Sequence, residues 1–422
     1  MKIIFQAKLL IVGSLIAYAK AGGVADSSCN VGKQASLDAE IGTTTANDDD
    51  YGEPTNATSS ARVLYQAPTP ARKLDSVGGE MGVAQTIDVN REQEIYEKIA
   101  EARYYMVNEV NIEPEYDAVR DICKNKHESC AFWAMLGECE KNPNYMKLNC
   151  APICQTCDFL SIETRCPLDP NAVDALYPGD ITKMFNRILT DPSIQQYQPT
   201  IVSRPEYAEG DTAETANYIL GPWMVVFENA LTDEEADRMI ELGGNEGYQR
   251  SADVGRKLED GTYDKKIYAG RTSTNAWCQN DCYEDPIAKR LMQRVEDITG
   301  VPEPNSEWLQ LLRYEQNQHY NRHHDLIEYQ KERQCGVRIF TLYFYLNDVE
   351  EGGGTEFPAL NLTVTPKRGR AALWPSVYDH DPNLKDPRTE HAALPVTKGV
   401  KYGANAWLHQ RDFKNPHREG CN

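Results

Sequence analysis

The sequence lacks an apolar run long enough to cross a bilayer. Its longest apolar stretch, from Leu9 to Ala19, has eleven residues, whereas a hydrocarbon core of about 30 Å needs roughly 20. Because Lys2 precedes this stretch and the small residues Ala17 and Ala19 end it, the pattern predicts a secretory signal peptide over residues 1–19. An uncleaved type II membrane anchor is the alternative.

The sequence is also poor in positive charge. It has 64 acidic residues against 44 lysines and arginines, which gives a formal net charge of −20. Nucleic-acid backbones and anionic membrane surfaces both attract cations, so the composition argues against either as a partner. The oligomeric state is left open.

Apolar residues are sparse between residues 20 and 88, where Ser, Thr, Gly, Ala and Asp dominate. Such a stretch cannot bury enough apolar surface to offset its ordering entropy, so it is predicted to be a disordered linker. Residues 89–118 form a predicted helical segment, because REQEIYEKIAEARYYMVNEV has no Pro or Gly and repeats apolar residues at helical spacing. We expect this helix to serve packing.

Cysteine, by contrast, is plentiful. Six of the 12 cysteines lie within the 35 residues from Cys123 to Cys157. The run CAPICQTC suggests zinc, but an even count in a secreted chain favours disulfides. The segment CKNKHESCAFWAMLGECEKNPNYMKLNCAPICQTC resembles a ShK toxin-like (ShKT) domain, which we place at residues 119–160. The resemblance implies the pairs Cys123–Cys157, Cys130–Cys150 and Cys139–Cys154.

The outlying cysteines are harder to pair. Cys278 and Cys282, in WCQNDC, are close enough to bridge a turn. Cys335 with Cys421 is the second suggested pair, and Cys29 and Cys166 are left unassigned.

Two sequons, at Asn56 and Asn361, are predicted glycosylation sites if the chain enters the secretory pathway.

Residues 161–422 are predicted to form one α+β domain. LTDEEADRMIELG at 231–243 and IAKRLMQRVEDITG at 287–300 carry start and stop signals of helices. Beyond Trp308 follow the strand-like runs WLQLLRY, RIFTLYFYLN, LTVTP, RAALWP, ALPVTKGVKYG and ANAWLH. Helices followed by many short strands indicate a sheet sandwich or barrel supported by helices.

The stretch YNRHHDLIEY, residues 320–329, contains two adjacent histidines and an aspartate. In a strand His323 and Asp325 would project from one face and His324 from the other. An imidazole and a carboxylate are two of the three ligands of the facial triad that holds non-haem Fe(II). A second histidine must come from elsewhere in the chain.

Two strand histidines compete for that role, His391 and His409. A hairpin through residues 397–399 is expected to bring Lys401 back beside His391. A lysine near iron suits a dicarboxylate co-substrate, because it can bind the distal carboxylate while the 2-oxo acid end chelates the metal.

Four motifs in order, LLRYEQNQHYNRHHD, TLYFYLNDVEEGGGTEFP, RGRAALWP and HAALPVTKGVKYGANAWLH, resemble the catalytic domain of the prolyl 4-hydroxylases. The resemblance runs from about Pro222 to about Phe413, with an oxygenase core at about 306–411. It implies a double-stranded β-helix (jelly roll) that hydroxylates peptidyl proline with Fe(II), O2, 2-oxoglutarate and ascorbate, releasing succinate and CO2. The expected location is the endoplasmic reticulum lumen or secretory pathway, or outside the cell.

The resemblance also implies residue roles. Iron ligands would be His323, Asp325 and His391; co-substrate residues would be Lys401, Tyr314 and Thr355; the lining of a peptide groove would be Tyr320, Arg338, Trp407 and His409. One departure is Asn317, where the family has Gly; Asn tolerates left-handed backbone, so we expect the turn to survive. EEGGGTEFP differs slightly from the family's EEGGET.

Proline-rich or collagen-like peptide is the expected substrate, and hydroxyproline-rich glycoproteins remain open. A 2-oxoglutarate dioxygenase of lysine or of a small molecule is a rival, although lysyl hydroxylases generally have Arg at the position of Lys401. A secreted ShKT binding protein with an inactive oxygenase domain is another, and the intact residue set argues against it.

Overall fold

The computed structural model describes residues 77–258 and 261–421. The predicted signal peptide, Cys29, Asn56 and most of the predicted linker lie outside this part of the chain. Within it, no helix is both long and apolar enough to span a membrane.

The α-helices of these residues are α1 Glu92–Tyr105, α2 Cys130–Met135, α3 Glu138–Lys141, α4 Pro143–Asn149, α5 Ala151–Cys154, α6 Ile162–Arg165, α7 Asp180–Thr190, α8 Pro192–Gln195, α9 Asp233–Glu246, α10 Asn280–Glu284, α11 Pro286–Thr299 and α12 Lys414–Arg418. The strands are β1 Pro199–Arg204, β2 Ile219–Leu220, β3 Met224–Phe227, β4 Gln249–Arg250, β5 Asp253–Lys257, β6 Tyr263–Lys266, β7 Thr274–Trp277, β8 Gln310–Tyr314, β9 Tyr320–His323, β10 Arg338–Tyr345, β11 Glu351–Gly352, β12 Thr355–Phe357, β13 Leu362–Val364, β14 Ala371–Pro375, β15 Val377–Tyr378, β16 Asp381–Lys385, β17 His391–Ala393, β18 Val396–Lys398 and β19 Lys401–His409.

The small module contains helices α2 to α5 and is held by three disulfides. These are Cys123–Cys157, Cys130–Cys150 and Cys139–Cys154, the pairs that the ShKT resemblance implies. Helix α1 buries Ile95 and Ile99 against this module. It passes into a π-helical turn, Met106–Val110, so the predicted helical segment is regular only in its first part.

The predicted linker ends earlier than residue 88. Met81 and Ile87 are buried in the same apolar cluster as Ile95 of α1, and Val83 donates its backbone N–H to the carbonyl of Asn125 at 2.8 Å. These apolar side chains are isolated in a polar sequence, so composition alone did not reveal their packing partner.

Two facing sheets form the core of the larger domain. The first has nine strands in the order β2-β1-β3-β14-β10-β19-β8-β7-β4, and the second has four in the order β13-β12-β17-β9. Phe357 of β12 packs edge-on against Trp374 of β14, with ring centroids 5.1 Å apart. This is the predicted sandwich.

Strand β10 shows how the layers are specified. Its residues Phe340, Leu342 and Phe344 pack against helices α7, α9 and α11, while Tyr343 and Tyr345 face the interior between the two sheets. This is the two-residue alternation of a strand that is covered on both faces.

The two predicted helices of this domain both form. A capping box between Thr232 and Glu235 starts α9, and Gly300 ends α11 in the left-handed conformation with φ 71°. The predicted end of the first helix at Gly243 was wrong. The helix continues to Glu246 and ends at Gly247, where φ is 81°.

The expected hairpin between His391 and Lys401 does not form. KYG and ANAWLH are one strand, β19, which pairs with β8 so that Lys401 lies opposite Tyr314. The intervening strand β18 pairs with β11 instead, and His391 lies opposite His323 in the smaller sheet. The lysine and the histidine therefore approach one interior from opposite sheets.

The disulfides outside the module correct one suggested pair. Cys278 and Cys282 are bonded as expected. Cys421, however, pairs with Cys166 across a sequence separation of 255 residues, and Cys335 is a buried free thiol. The bond ties the segment after the ShKT module to the C-terminal segment, a contact that spacing could not reveal.

We expect a non-reducing digest to yield a peptide pair linked through Cys166 and Cys421, with Cys335 labelled by a thiol reagent only after denaturation. Replacing Cys166 and Cys421 by Ser should lower the free energy of unfolding by about 2–5 kcal/mol, because the bond closes a long loop. Mass spectrometry and urea denaturation measure the two effects. A Cys335–Cys421 peptide would contradict this assignment.

Candidate metal and co-substrate site

Three side chains converge between the two sheets. Single ligand atoms of His323, Asp325 and His391 all lie within 4.8 Å of one another. Asp325 Oδ1 lies 3.9 Å from His323 Nε2, and Asp325 Oδ2 lies 3.5 Å from His391 Nε2. Strand β9 ends at His323, so Asp325 lies in the turn beyond it and not on the strand as predicted. The expected triad forms nevertheless.

Hydrogen bonds fix which nitrogen of each imidazole faces the cluster. His323 Nδ1 lies 2.8 Å from the carbonyl oxygen of Asn321, and His391 Nδ1 lies 3.0 Å from that of Thr389. Because a carbonyl only accepts, each Nδ1 carries the proton and each Nε2 keeps a lone pair for a metal. Burial and the neighbouring His391 lower the pKa of His323 to about 3, which keeps it neutral.

The carboxylate of Asp325 is ionised and anchored. Burial opposes its charge, but His391, His323 and the Thr341 hydroxyl outweigh this and hold its pKa at about 2. Thr341 Oγ1 donates to Asp325 Oδ2 at 2.6 Å. Sequence reasoning missed Thr341, although one Thr inside the apolar strand RIFTLYFYL was a usable signal.

His324 faces away from the cluster, as predicted. Its Nδ1 accepts the backbone N–H of Leu326 at 2.9 Å, and its Nε2 lies 2.9 Å from the carbonyl oxygen of Asp386. It therefore joins two loops.

A small cavity beside the cluster contains a buried lysine. Lys401 is 1% exposed, and within the described residues it has neither an ion-pair nor a hydrogen-bond partner. Its Nζ lies 5.1–5.5 Å from the ring centroids of Tyr314, Tyr343 and Tyr345. Burial lowers the pKa of Lys401 to about 7.

Residues expected to hold the co-substrate line this cavity. Tyr314 and Thr355 are both present with the three members of the cluster. Thr355 Oγ1 accepts a hydrogen bond from Tyr345 at 2.8 Å. Asn317 adopts φ 66° in the preceding turn, so the departure from glycine leaves the turn intact, as expected.

An open groove of about 720 Å³ runs past His323 and Asp325 on the other side. Its lining is largely polar but includes two aromatic pairs. Tyr263 stacks on Tyr329 at 3.9 Å between ring centroids, and Trp277 lies 6.1 Å from Trp407. Three of the four predicted groove residues, Tyr320, Arg338 and Trp407, line it. Arg338 lies over the Trp407 ring at 3.9 Å.

His409 does not line the groove, which corrects the fourth assignment. It is 0% exposed, and its Nε2 lies 2.9 Å from Glu307 Oε1, which also accepts from Arg338 Nε at 2.6 Å. Burial opposes charge on His409, but the neighbouring Cys335 and Glu307 raise its pKa to about 9. His409 lies opposite Arg338 on the neighbouring strand and shares Glu307 with it, and strand alternation alone could not predict this partner.

Arg271, to which the sequence analysis assigned no role, lines both the groove and the cavity. It donates to Asp253 Oδ1 at 2.8 Å and lies 4.4 Å from the centroid of the Tyr320 ring. The Tyr320 ring in turn stacks on His323 at 3.6 Å between centroids. The motif GRTSTNAW that contains Arg271 was the available signal.

The donor set fits Fe(II) and a dicarboxylic 2-oxo acid. Two imidazoles and one carboxylate match the facial triad and leave coordination positions free. A buried ammonium without a counter-ion is costly unless a ligand supplies the anion. The cavity thus offers a metal site at one end and a carboxylate site at the other.

The chain matches known proteins over these same regions. Residues 309–409 match the model of the 2OG-Fe(II) oxygenase superfamily, and residues 122–157 match the ShK domain-like model. The chain therefore contains a 2OG-Fe(II) oxygenase domain and a ShK domain.

More particularly, the oxygenase part is similar to prolyl 4-hydroxylase alpha subunits. Subunit alpha-1 of Gallus gallus is 33% identical over 223 residues, covering 49% of this chain and 42% of that protein. Subunit alpha-1 of Homo sapiens is 32% identical over 202 residues, covering 46% and 36%. The chain thus spans less than half the length of these relatives.

Among solved structures, the 2OG complex of the viral collagen prolyl hydroxylase vCPH from Paramecium Bursaria Chlorella virus-1 is similar. It has a TM-score of 0.36 and 25% identity, and the match covers 45% of this chain and 97% of that one.

Replacing His323, Asp325 or His391 by Ala should weaken metal binding at least tenfold, because a ligand bond is lost, while the fold is kept. Titration with Co(II) followed by absorbance measures the affinity, and circular dichroism checks the fold. His324→Ala is the matched control and should keep metal affinity, since its ring bonds Leu326 and Asp386. Unchanged affinity in any ligand variant would remove that residue from the triad.

Lys401→Met should stabilise the metal-free domain by roughly 2 kcal/mol at pH 6, because it removes a buried charge without a partner. The native pKa of about 7 lies below the ordinary 10.5, so between these values the unfolded chain binds more protons and wild-type stability rises with pH. The gain should therefore shrink from pH 7 towards pH 10 in urea denaturation.

Lys414→Met is the matched control for this effect. Lys414 is also buried, but it is paired with Glu303, so its removal should destabilise the domain. Equal behaviour of the two variants would contradict the electrostatic argument.

Proposed function

We propose that this protein is a peptidyl-proline 4-hydroxylase that uses Fe(II), O2 and 2-oxoglutarate. One observation carries the proposal: the cluster of His323, Asp325 and His391 lies between a cavity ending in a buried unpaired lysine and an open aromatic groove. A co-substrate and a peptide can thus reach one metal from two sides.

When bound, Fe(II) would activate O2 at the expense of 2-oxoglutarate, which leaves as succinate and CO2 while a substrate C–H becomes C–OH. The residues of the chain hold and orient the reactants. Lys401 binds the distal carboxylate of 2-oxoglutarate, Thr341 keeps Asp325 aimed at the metal, and the Tyr320 ring fixes the orientation of His323.

The groove suits proline in polyproline II conformation. This extended helix has no internal hydrogen bonds and docks in aromatic-lined grooves. Tyr263, Tyr329, Trp277 and Trp407 supply such walls, and Arg338 supplies a donor for peptide carbonyls beside the metal. A proline-rich or collagen-like peptide is therefore the proposed substrate. The names of the alpha-subunit relatives, prolyl 4-hydroxylase, support proline as the residue that is modified.

We further propose that the protein works in the endoplasmic reticulum lumen or elsewhere in the secretory pathway. Five disulfides in the described part of the chain support an oxidising compartment. Asn361 lies in an exposed turn, where a glycan would be accepted. Ascorbate is the proposed reductant that keeps iron in the Fe(II) state.

Purified protein incubated with a proline-rich peptide, Fe(II), ascorbate and 2-oxoglutarate should add the mass of one oxygen atom to the peptide. Fragmentation should place it on proline, and succinate should form in equal amount. Lys401→Ala should raise the KM for 2-oxoglutarate about ten- to a hundredfold, because a charge-assisted bond in a shielded site is lost. The KM for peptide should hardly change.

A matched lysine-containing peptide without proline is the control. Oxygen on lysine, or succinate formed without any peptide dependence, would overturn the assignment to proline. Lys401→Arg should restore little, since the guanidinium is larger and planar.

A further inference from the structure

The inward face of β10 presents three polar side chains at two-residue spacing. Thr341 Oγ1 donates to Asp325, and Tyr345 Oη donates to Thr355. Between them Tyr343 is 6% exposed, and its hydroxyl is buried without a hydrogen-bond partner among the described residues. The function proposed above gives Thr341 a role, and Tyr345 bonds a residue of the cavity, but Tyr343 has no task so far.

The surroundings of Tyr343 preserve room for this hydroxyl. Gly403 lies across from it on β19, and a Cβ at position 403 would lie 2.1 Å from Tyr343 Oη. Only glycine therefore leaves the hydroxyl where it is.

The Tyr343 ring borders the proposed anion site. Tyr343 lines the same cavity as Lys401, and Lys401 Nζ is 5.1 Å from the Tyr343 ring centroid. Burial, with Tyr314 and Tyr345 nearby, raises the pKa of Tyr343 well above its ordinary value. It therefore keeps its proton and can donate it.

We propose that Tyr343 donates its hydroxyl to the distal carboxylate of 2-oxoglutarate, beside Lys401, and so is a further co-substrate-binding residue. This rests on the proposed function. A carboxylate has two oxygens with several lone pairs, so it accepts from an ammonium and a hydroxyl together. The hydroxyl has no hydrogen-bond partner among the described residues, and a carboxylate oxygen beside it would supply one.

The experiment measures equilibrium binding of 2-oxoglutarate to Mn(II)-loaded protein by calorimetry, without peptide or turnover. Tyr343→Phe should weaken binding about ten- to a hundredfold, the usual effect of losing a hydrogen bond to a charged group. Without ligand its melting temperature should stay the same or rise, because a buried unpaired hydroxyl is removed. The stabilisation by 2-oxoglutarate should shrink.

Tyr248→Phe is the matched control. Tyr248 also has a buried hydroxyl without a partner, and it also lies against a glycine, Gly243. It does not line the cavity, so its loss should leave 2-oxoglutarate affinity unchanged. The ligand-side control is 2-oxopentanoate, which lacks the distal carboxylate and should bind wild type and Tyr343→Phe equally weakly.

The outcomes separate this inference from the proposed function. If wild type binds 2-oxoglutarate, Lys401→Met loses binding and Tyr343→Phe keeps it, Tyr343 only fills space and the inference is wrong. It is equally wrong if Tyr343→Phe weakens 2-oxopentanoate as much as 2-oxoglutarate, since the hydroxyl would then act on another part of the ligand. Failure of wild type to bind 2-oxoglutarate would instead overturn the proposed function itself.

Discussion

The buried ammonium of Lys401 is the feature on which the rest of the site depends. Desolvation disfavours its charge, and three tyrosine rings around it compensate only in part. Under the proposed function, the distal carboxylate of 2-oxoglutarate would supply the counter-charge that Lys401 lacks among the described residues.

Strand β10 contacts both the cavity and the metal-ligand cluster. One face is fixed by the helices, through Phe340, Leu342 and Phe344, so the opposite face cannot rotate or slip by a residue without exposing the core. Thr341 and Tyr345, on that opposite face, bond Asp325 and Thr355. Asp325 and Thr355, the candidate metal ligand and the candidate co-substrate residue, are thus held at fixed spacing by packing on the other face of the strand.

The sequence allowed the local features to be predicted and left the long-range ones open. A capping box predicted α9, strand alternation separated His323 from His324, and motif order predicted the triad. Pairing between distant strands is not encoded in local pattern, so the sheet to which Lys401 belongs was wrongly predicted. His409 was misplaced because a strand with both faces covered gives no sign of which neighbour, here Glu307, lies below it. Cys166 and Cys421 carry no spacing signal at all.

The bond between Cys166 and Cys421 must form later than the three bonds of the ShKT module, because its second cysteine is synthesised much later. Each bond of the ShKT module closes over at most 34 residues, so the module can finish soon after it leaves the ribosome. Cys166 must wait for 255 further residues, on the order of 13–51 s at typical elongation rates. During that interval the Cys166 thiol lacks its final partner, so the Cys166–Cys421 bond can form only after the other four disulfides of the described residues have all their cysteines.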